Sequence, residues 1–317
     1  MKPLKIYTFK ELYLKEFPEK KYYLNPLLFQ GSLMMLYASP GIGKTFAALG
    51  MAIAAASKGT FLKWRSEHEC RVLYVDGEMG DEAIKDRLEK QLMSIDFAYK
   101  NENIKIISPD EINGGEIPQI SDVATHNYYL EICKDRDLII FDNYGCLTSR
   151  QSRDSDDDVW ERSWKLLKKL RAQGKAIIIV HHAGKAGAQL GTSKKEQPLN
   201  WMIELKRPAI YEPHQGARFE LKFTKVRGVH GNDVENLIVD IYERDNGINW
   251  EWKGLENEIE QRIHKMKEVG MTDRQIAEEI GRPLFLVKSV LKKGATEIDI
   301  KDIGSSNYYD ETEKELF

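Results

Sequence analysis

The stretch Ala38–Thr45, ASPGIGKT, constrains this chain more than any other. It follows a short apolar run, Leu33–Tyr37, and opens an alanine-rich run, Phe46–Lys58, so it falls where a buried strand turns into a helix. A loop at such a junction presents backbone N–H groups and the positive end of a helix to an anion. Gly41 and Gly43 let those N–H groups turn inward toward a phosphate. Lys44 is placed to reach β- and γ-phosphates, and the Thr45 hydroxyl to hold Mg²⁺. Ser39, Pro40, Ile42 and Phe46 complete the loop around a nucleotide, for which ATP is the expectation. The usual first glycine is Ala38, a small residue that fits if its φ stays negative.

From Gly31 onward, apolar strand-like runs (Leu33–Ala38, Val72–Asp76, Ile104–Ile107, Leu138–Phe141 and Ala176–Val180) alternate with the helical patterns Phe46–Ser57, Asp81–Leu92 and Trp160–Ala172. That alternation predicts an α/β fold with a mainly parallel sheet flanked by helices. The acidic run Asp154–Asp158 reads as a solvated loop and helix start. Two β-rich stretches, Arg218–Thr224 and Leu237–Tyr242, read as a late β-hairpin, and Leu255–Lys293 turns helical. The expected organisation is an N-terminal arm over 1–30, an α/β domain over 31–253, a small all-α module over 254–294 and a polar tail over 295–317. Tyr22, Tyr23 and Leu24 of the arm are available to a neighbouring subunit, or cover an edge of their own sheet.

The chain has 317 residues and is 31% charged and 42% hydrophobic, with a net charge of −3, so any polynucleotide contact has to be confined to a patch. Cys70, Cys133 and Cys146 lack paired spacing, which argues against a disulfide framework or a zinc site and reads as buried free thiols in a reducing cytoplasm. No apolar run reaches the roughly 20 residues of a membrane span.

Two further strands carry candidate chemistry. LIIFDN, Leu138–Asn143, is an apolar strand ending in a carboxylate, and Asp142 can support the Mg²⁺ shell begun by Thr45. Asn143 follows it, so a catalytic Glu directly beside the metal Asp is absent. VLYVDGEM supplies Glu78 just past the strand Val72–Asp76, to orient the attacking water, with Asp76 as the competitor. AIIIV ends in His181 and His182. Alternation aims the two oppositely, so His182 is the candidate for sensing the γ-phosphate and His181 for local packing.

The phosphate loop, the Glu after the next strand, the DN strand end, VHHAGKAG and the final hairpin together resemble the RecA-like P-loop ATPases. The likeness is to hexameric replicative helicases of the plasmid RepA type and their AAA_25 relatives, over residues 17–245. The resemblance implies a homo-oligomeric ring of six with ATP sites between subunits and single-stranded DNA in the channel. In such rings a neighbouring subunit completes each site from a late hairpin. FTKVRGVHG offers Lys225 and Arg227, two apart on one strand face, against the plainer reading of an exposed basic hairpin. The loop Ala183–Gln197, with Lys185, Lys194 and Lys195 among glycines, resembles the channel loop, and a solvated lysine loop is the alternative. Arg150 and Arg153 are placed to join it.

TDRQIAEEIGRPLFLVKSVLKKG has helix-turn-helix spacing. Thr272 is an N-cap, Gly281 the turn and Pro283 the start of the next helix, with Ile276, Ile280, Val287 and Leu291 packing inward. Leu284 and Phe285 stand at positions that usually face bases yet are apolar, while Lys288 and Lys292 are placed for phosphates. Duplex DNA and a partner protein both remain open as its target. For the whole chain the expectation is an ATP-hydrolysing ring helicase or translocase in replication of a plasmid, phage or mobile element. The alternatives are a recombinase-like or KaiC-like regulatory ATPase that never unwinds, and an ATP-gated DNA-binding regulator.

Overall fold

The computed structural model describes residues 5–92, 101–110, 117–149, 154–183, 193–208, 211–212, 216–244 and 247–292. In chain order the first elements are α1 (Phe9–Tyr13), β1 (Tyr22–Leu24), β2 (Leu28–Phe29), β3 (Leu33–Ala38), α2 (Lys44–Ala56), β4 (Thr60–Phe61), β5 (Trp64–Arg65), β6 (Val72–Asp76) and α3 (Asp81–Leu92). There follow β7 (Ile104–Ile107), α4 (His126–Ile132), β8 (Leu138–Asp142), α5 (Asp156–Ala172), β9 (Ala176–His182), α6 (Ser193–Glu196) and β10 (Trp201–Lys206). The last elements are β11 (Ala217–Val226), β12 (Leu237–Arg244), β13 (Gly247–Gly254), α7 (Leu255–Glu268), α8 (Asp273–Glu279) and α9 (residues 284–292). They fall into two units. The first is 1–205 with 223–234 and 243–249; the second is 206–222 with 235–242 and 250–317.

The first unit is a parallel sheet flanked by helices. Its sheet runs β7-β6-β8-β9-β3-β10, with every neighbouring pair parallel. β3, β6 and β8 are buried along their whole length, as strands covered on both faces must be. α2 is buried at every residue from Ala47 to Ala56, and its alanines let the helix lie close to the strands. α5 is amphipathic instead. Ser155 caps it in a capping box with Asp158, three aspartates occupy its first turn, and Lys169 and Arg171 lie in its last. Trp160, Leu166, Leu167 and Leu170 are its buried face.

Register decides where the chemistry lands. Asp76 pairs with Asp142 across β6 and β8, and Ala38 pairs with His182 across β3 and β9. The ends of four adjacent parallel strands therefore share one carboxyl edge, the edge at which open α/β sheets bind ligands.

Two expectations are corrected here. Tyr23 and Leu24 are buried, because β1 pairs with β2 and packs on α2; the exposed apolar surface of the arm is Ile6–Phe17, and α1 has no buried residue. Cys146 is exposed in the turn after β8, whereas Cys70 and Cys133 are buried as expected; all three are free. Among the described residues no helix is long and apolar enough to cross a membrane, and no cluster of three His, Cys, Asp or Glu could cage a metal.

In the second unit β11 and β12 form the late antiparallel hairpin, Ala217 opposite Ile241 through Leu221 opposite Leu237. α7, α8 and α9 share a core of Ile263, Ile276, Ala277, Ile280, Val287 and Val290. Thr272 caps α8 in a capping box with Gln275, and Gly281 takes φ +61° at the turn into α9. Leu284 packs against this core, so it is not a base-facing position; Phe285 is 74% exposed. Lys288 and Lys292 are exposed on α9.

Candidate nucleotide site

The loop between β3 and α2 has the backbone of an anion cradle. Gly41 (φ +75°) and Gly43 (φ +110°) hold conformations that a side chain disfavours, and Gly43 is the N-cap of α2. Ala38 lies within β3 and is not among the residues with positive φ, which explains why alanine serves there. Lys44 is buried, its ammonium donating to the Ala38 and Ser39 carbonyls at 3.1 Å each. Burial lowers its pKa, opposed by the charges of Asp142 and Glu78. Ser39, Pro40 and Gly41 are exposed at the mouth, and Ile42 is buried beneath them. Phe46 lies under the Arg87 guanidinium, 5.1 Å from its ring centroid, and its carbonyl accepts from Gln91.

The Thr45 hydroxyl lies close enough to Asp142 to lower the carboxyl's pKa, although the two are 97 positions apart. Asp142 is buried, which raises its pKa, while the donors Tyr74 and Thr45 and the nearby Lys44 ammonium lower it. The Tyr74 hydroxyl donates to Asp142 Oδ2 at 2.5 Å. A hydroxyl and a buried carboxylate meeting at the mouth of a phosphate cradle are the oxygen donors that Mg²⁺ takes alongside phosphate oxygens and water. The residues fit that cation, and Thr45 with Asp142 would hold it.

Glu78, Asn143 and His182 converge beside this pair. Asn143 Oδ1 accepts the Cys146 N–H at 3.0 Å, which fixes the amide so that Nδ2 faces the other two groups. Nδ2 donates to Glu78 Oε2 in a short hydrogen bond and lies 3.1 Å from His182 Nε2; His182 and Glu78 are themselves 3.6 Å apart. Asp76, the rival to Glu78, accepts the backbone N–H groups of Glu78, Met79 and Gly80. Its carboxylate is spent on shaping the turn that carries Glu78, whose own side chain is half exposed. His181 points away, its ring packed at a tilt against Tyr144 with centroids 5.2 Å apart. Burial and the charges of Lys195, His182 and Lys44 push its pKa down to about 3.

The remaining sites fall differently. Lys225 and Arg227 donate to the backbone carbonyls of Glu196 and Gln197, the arginine at 2.5 Å, so both are tied to the segment that follows α6. Lys195 is buried, 6% exposed, in the short helix α6, which fits neither its expected place on a DNA-contacting loop nor the solvated alternative. Trp201, just beyond, is fully buried too. The backbone of Lys194 belongs to α6, and Lys185, Arg150 and Arg153 lie outside the described residues. Tyr74, which looks like core in an apolar strand, has no site role in the sequence reading, and Asn143 enters it only as the neighbour of Asp142.

A search of curated proteins gives no match. Among solved structures, the chain is similar to a KaiC-like protein, PH0186, from Pyrococcus horikoshii OT3, with 15% identity, 71% of this chain and 93% of that chain covered and a TM-score of 0.48. It is similar to the ATPase domain of G40P with 16% identity, 69% and 84% coverage and a TM-score of 0.49. A DnaB-like replicative helicase matches at 17% identity, 69% and 58% coverage and a TM-score of 0.49. Residues 2–188 match the AAA_25 family, an AAA domain, a span that takes in the phosphate loop, Glu78, Asp142 and His182. With well over half of its length matched, this chain belongs to the AAA_25 family.

Proposed function

We propose that this chain hydrolyses ATP with Mg²⁺ as a ring of six and uses the cycle to move along single-stranded DNA in replication of a plasmid, phage or mobile element. The observation that carries it is the convergence of Glu78, Asn143 and His182 beside the Thr45–Asp142 pair. In this reading Glu78 orients the water that attacks the γ-phosphate, and Lys44 and the loop amides hold the phosphates. His182 ends β9 and leads into the segment 183–192, with Lys225 and Arg227 bonded just beyond its far end. A change at the γ-phosphate then has a covalent path to the loop assigned to DNA. The exposed apolar arm Ile6–Phe17 offers a neighbouring copy a surface to cover. Residues 254–294 form a helix-turn-helix module that docks duplex DNA or a partner protein, and the protein works in the cytoplasm.

The test measures ATP turnover with and without single-stranded DNA, alongside strand displacement. Stimulation together with ATP-dependent unwinding is expected. Turnover indifferent to DNA removes the translocase reading and leaves an ATPase that switches assembly.

A further inference from the structure

The second unit contains a pocket of about 270 Å³ whose lining includes none of the residues of the candidate nucleotide site. Its walls come from three places in the chain: residues 206–208, the hairpin strands β11 and β12, and α7 with the turn after α8. Six cationic side chains line it, Lys206, Arg207, Arg218, Lys222, Arg262 and Arg282, against two carboxylates, Glu220 and Glu258. Its floor is apolar, built from Ile238, Leu255, Ile259 and Ile280.

The two carboxylates are already engaged. Glu258, 8% exposed, accepts from Arg218 at 2.9 Å, from Arg262 at 3.1 Å and from Lys253 in a short ion pair. Glu220 pairs with Lys222 at 2.6 Å, and Arg218 also reaches Asp240 at 3.3 Å. What remains is an excess of cations. Lys206 and Arg207 have no carboxylate partner among the described residues; Arg207 is instead held over Tyr211, 4.1 Å from its ring centroid. Among the described residues Arg282 pairs only with Glu256, at 4.0 Å, and Arg218 Nε is buried with no hydrogen-bond partner. Guanidinium groups with unspent donors around a concavity match the geometry of a phosphate oxyanion. An apolar floor next to them matches the organic part of the same ligand.

We infer that this pocket is a binding site for a small organic phosphate, a phosphomonoester up to about mononucleotide size, distinct from the ATP carried by the loop at Ala38–Thr45. Its walls join the late hairpin to the helical module, so an occupant fixes the two against each other. A duplex backbone is convex and does not enter a concavity of this volume, which is why a small ligand is favoured over DNA.

The experiment uses the full chain carrying Lys44→Ala, to weaken nucleotide binding at the phosphate loop, and titrates it calorimetrically with AMP, inorganic phosphate and adenosine. AMP is expected to bind once per chain, inorganic phosphate more weakly and adenosine not at all. Adding Arg282→Glu, or separately Arg207→Glu, should weaken AMP binding at least tenfold with circular dichroism unchanged. These positions lie on different walls, so one misfolded variant leaves the other to decide. No AMP binding in the millimolar range, adenosine binding equal to AMP, or AMP binding untouched by both charge reversals overturns the site.

Discussion

The Tyr74 hydroxyl donates a 2.5 Å hydrogen bond to Asp142 Oδ2, from the neighbouring strand and from a side chain fully removed from water. Buried carboxylates are costly unless their lone pairs are satisfied. Tyr74 supplies a hydrogen bond to Asp142, and the Thr45 hydroxyl lies close by. If Thr45 and Asp142 held Mg²⁺, Tyr74 would remain the donor to the carboxylate.

Tyr74→Phe should therefore fold, since only a hydroxyl is lost from a packed ring, and should alter metal use. Leaving a buried acceptor short of one donor costs about 1–3 kcal/mol. We expect the Mg²⁺ concentration for half-maximal turnover to shift about fivefold to tenfold, within that energy, with saturated turnover much less affected. An unchanged Mg²⁺ titration would mean that Tyr74 serves packing alone.

Glu78 and Asn143 separate catalysis from positioning. Glu78→Gln keeps the hydrogen-bond geometry but loses the base, and should retain ATP binding while turnover falls about 10²–10⁴-fold. Asn143→Ala keeps the base but removes the amide that holds it toward His182. It should cost about tenfold in kcat with little change in KM, the pattern of an interaction made in the transition state. Single-turnover kinetics with ATP binding measured separately check both. If Asn143→Ala matched Glu78→Gln in severity, Asn143 would have to touch the reacting water itself.

The legible parts of this molecule are those that one stretch of chain determines. Apolar runs marked the strands, the GK[ST] loop marked the cradle, and a strand end marked Asp142. Thr272 announced its helix because a cap needs only its own turn. What escaped depends on partners far away in sequence. Asn143 matters because the turn through Cys146 orients its amide toward residues 65 positions before and 39 after it. Lys195 looked like a DNA contact on a glycine-rich loop, yet it lies buried in one turn of helix. Leu284 sits one position from Phe285, and helical phase alone sends the first to the core and the second to water.

His181 gives the fold an acid-side liability. Its pKa is pushed down to about 3, so the folded protein keeps it neutral where an unfolded chain, with a value near 6.5, takes up a proton. The unfolded state then binds more protons between those values, and stability is complete above about pH 6.5 and lost as pH falls through that window. The opposite sign holds for Asp76 and Asp142, whose raised values favour the folded state as they protonate. Comparing wild type with His181→Gln cancels those terms. Between pH 7.5 and 5, urea unfolding of wild type should lose stability more steeply, by up to about 1.4 kcal/mol per pH unit. Parallel pH profiles would show that His181 protonates freely in the folded protein.

Lys225 and Arg227 pose the question of whether one chain is enough. In this chain both donate to carbonyls of residues 196–197 and neither bonds the Glu78, Asn143 and His182 cluster. If they act on a neighbour's γ-phosphate, the double variant Lys225→Ala/Arg227→Ala should lose about 10³-fold or more in turnover while binding ATP normally. Lys44→Ala should be inactive for the separate reason that its own phosphates are not held. Mixing the two inactive proteins under subunit exchange would then bring an intact phosphate loop against an intact basic pair at some interfaces. Random pairing of neighbours restores about a quarter of the sites. Recovery toward that level, falling away on dilution below the assembly concentration, is the outcome expected of a site shared between subunits. Mixtures that exchange subunits, shown by fluorescence transfer, and stay inactive would return both residues to a structural role in their own chain.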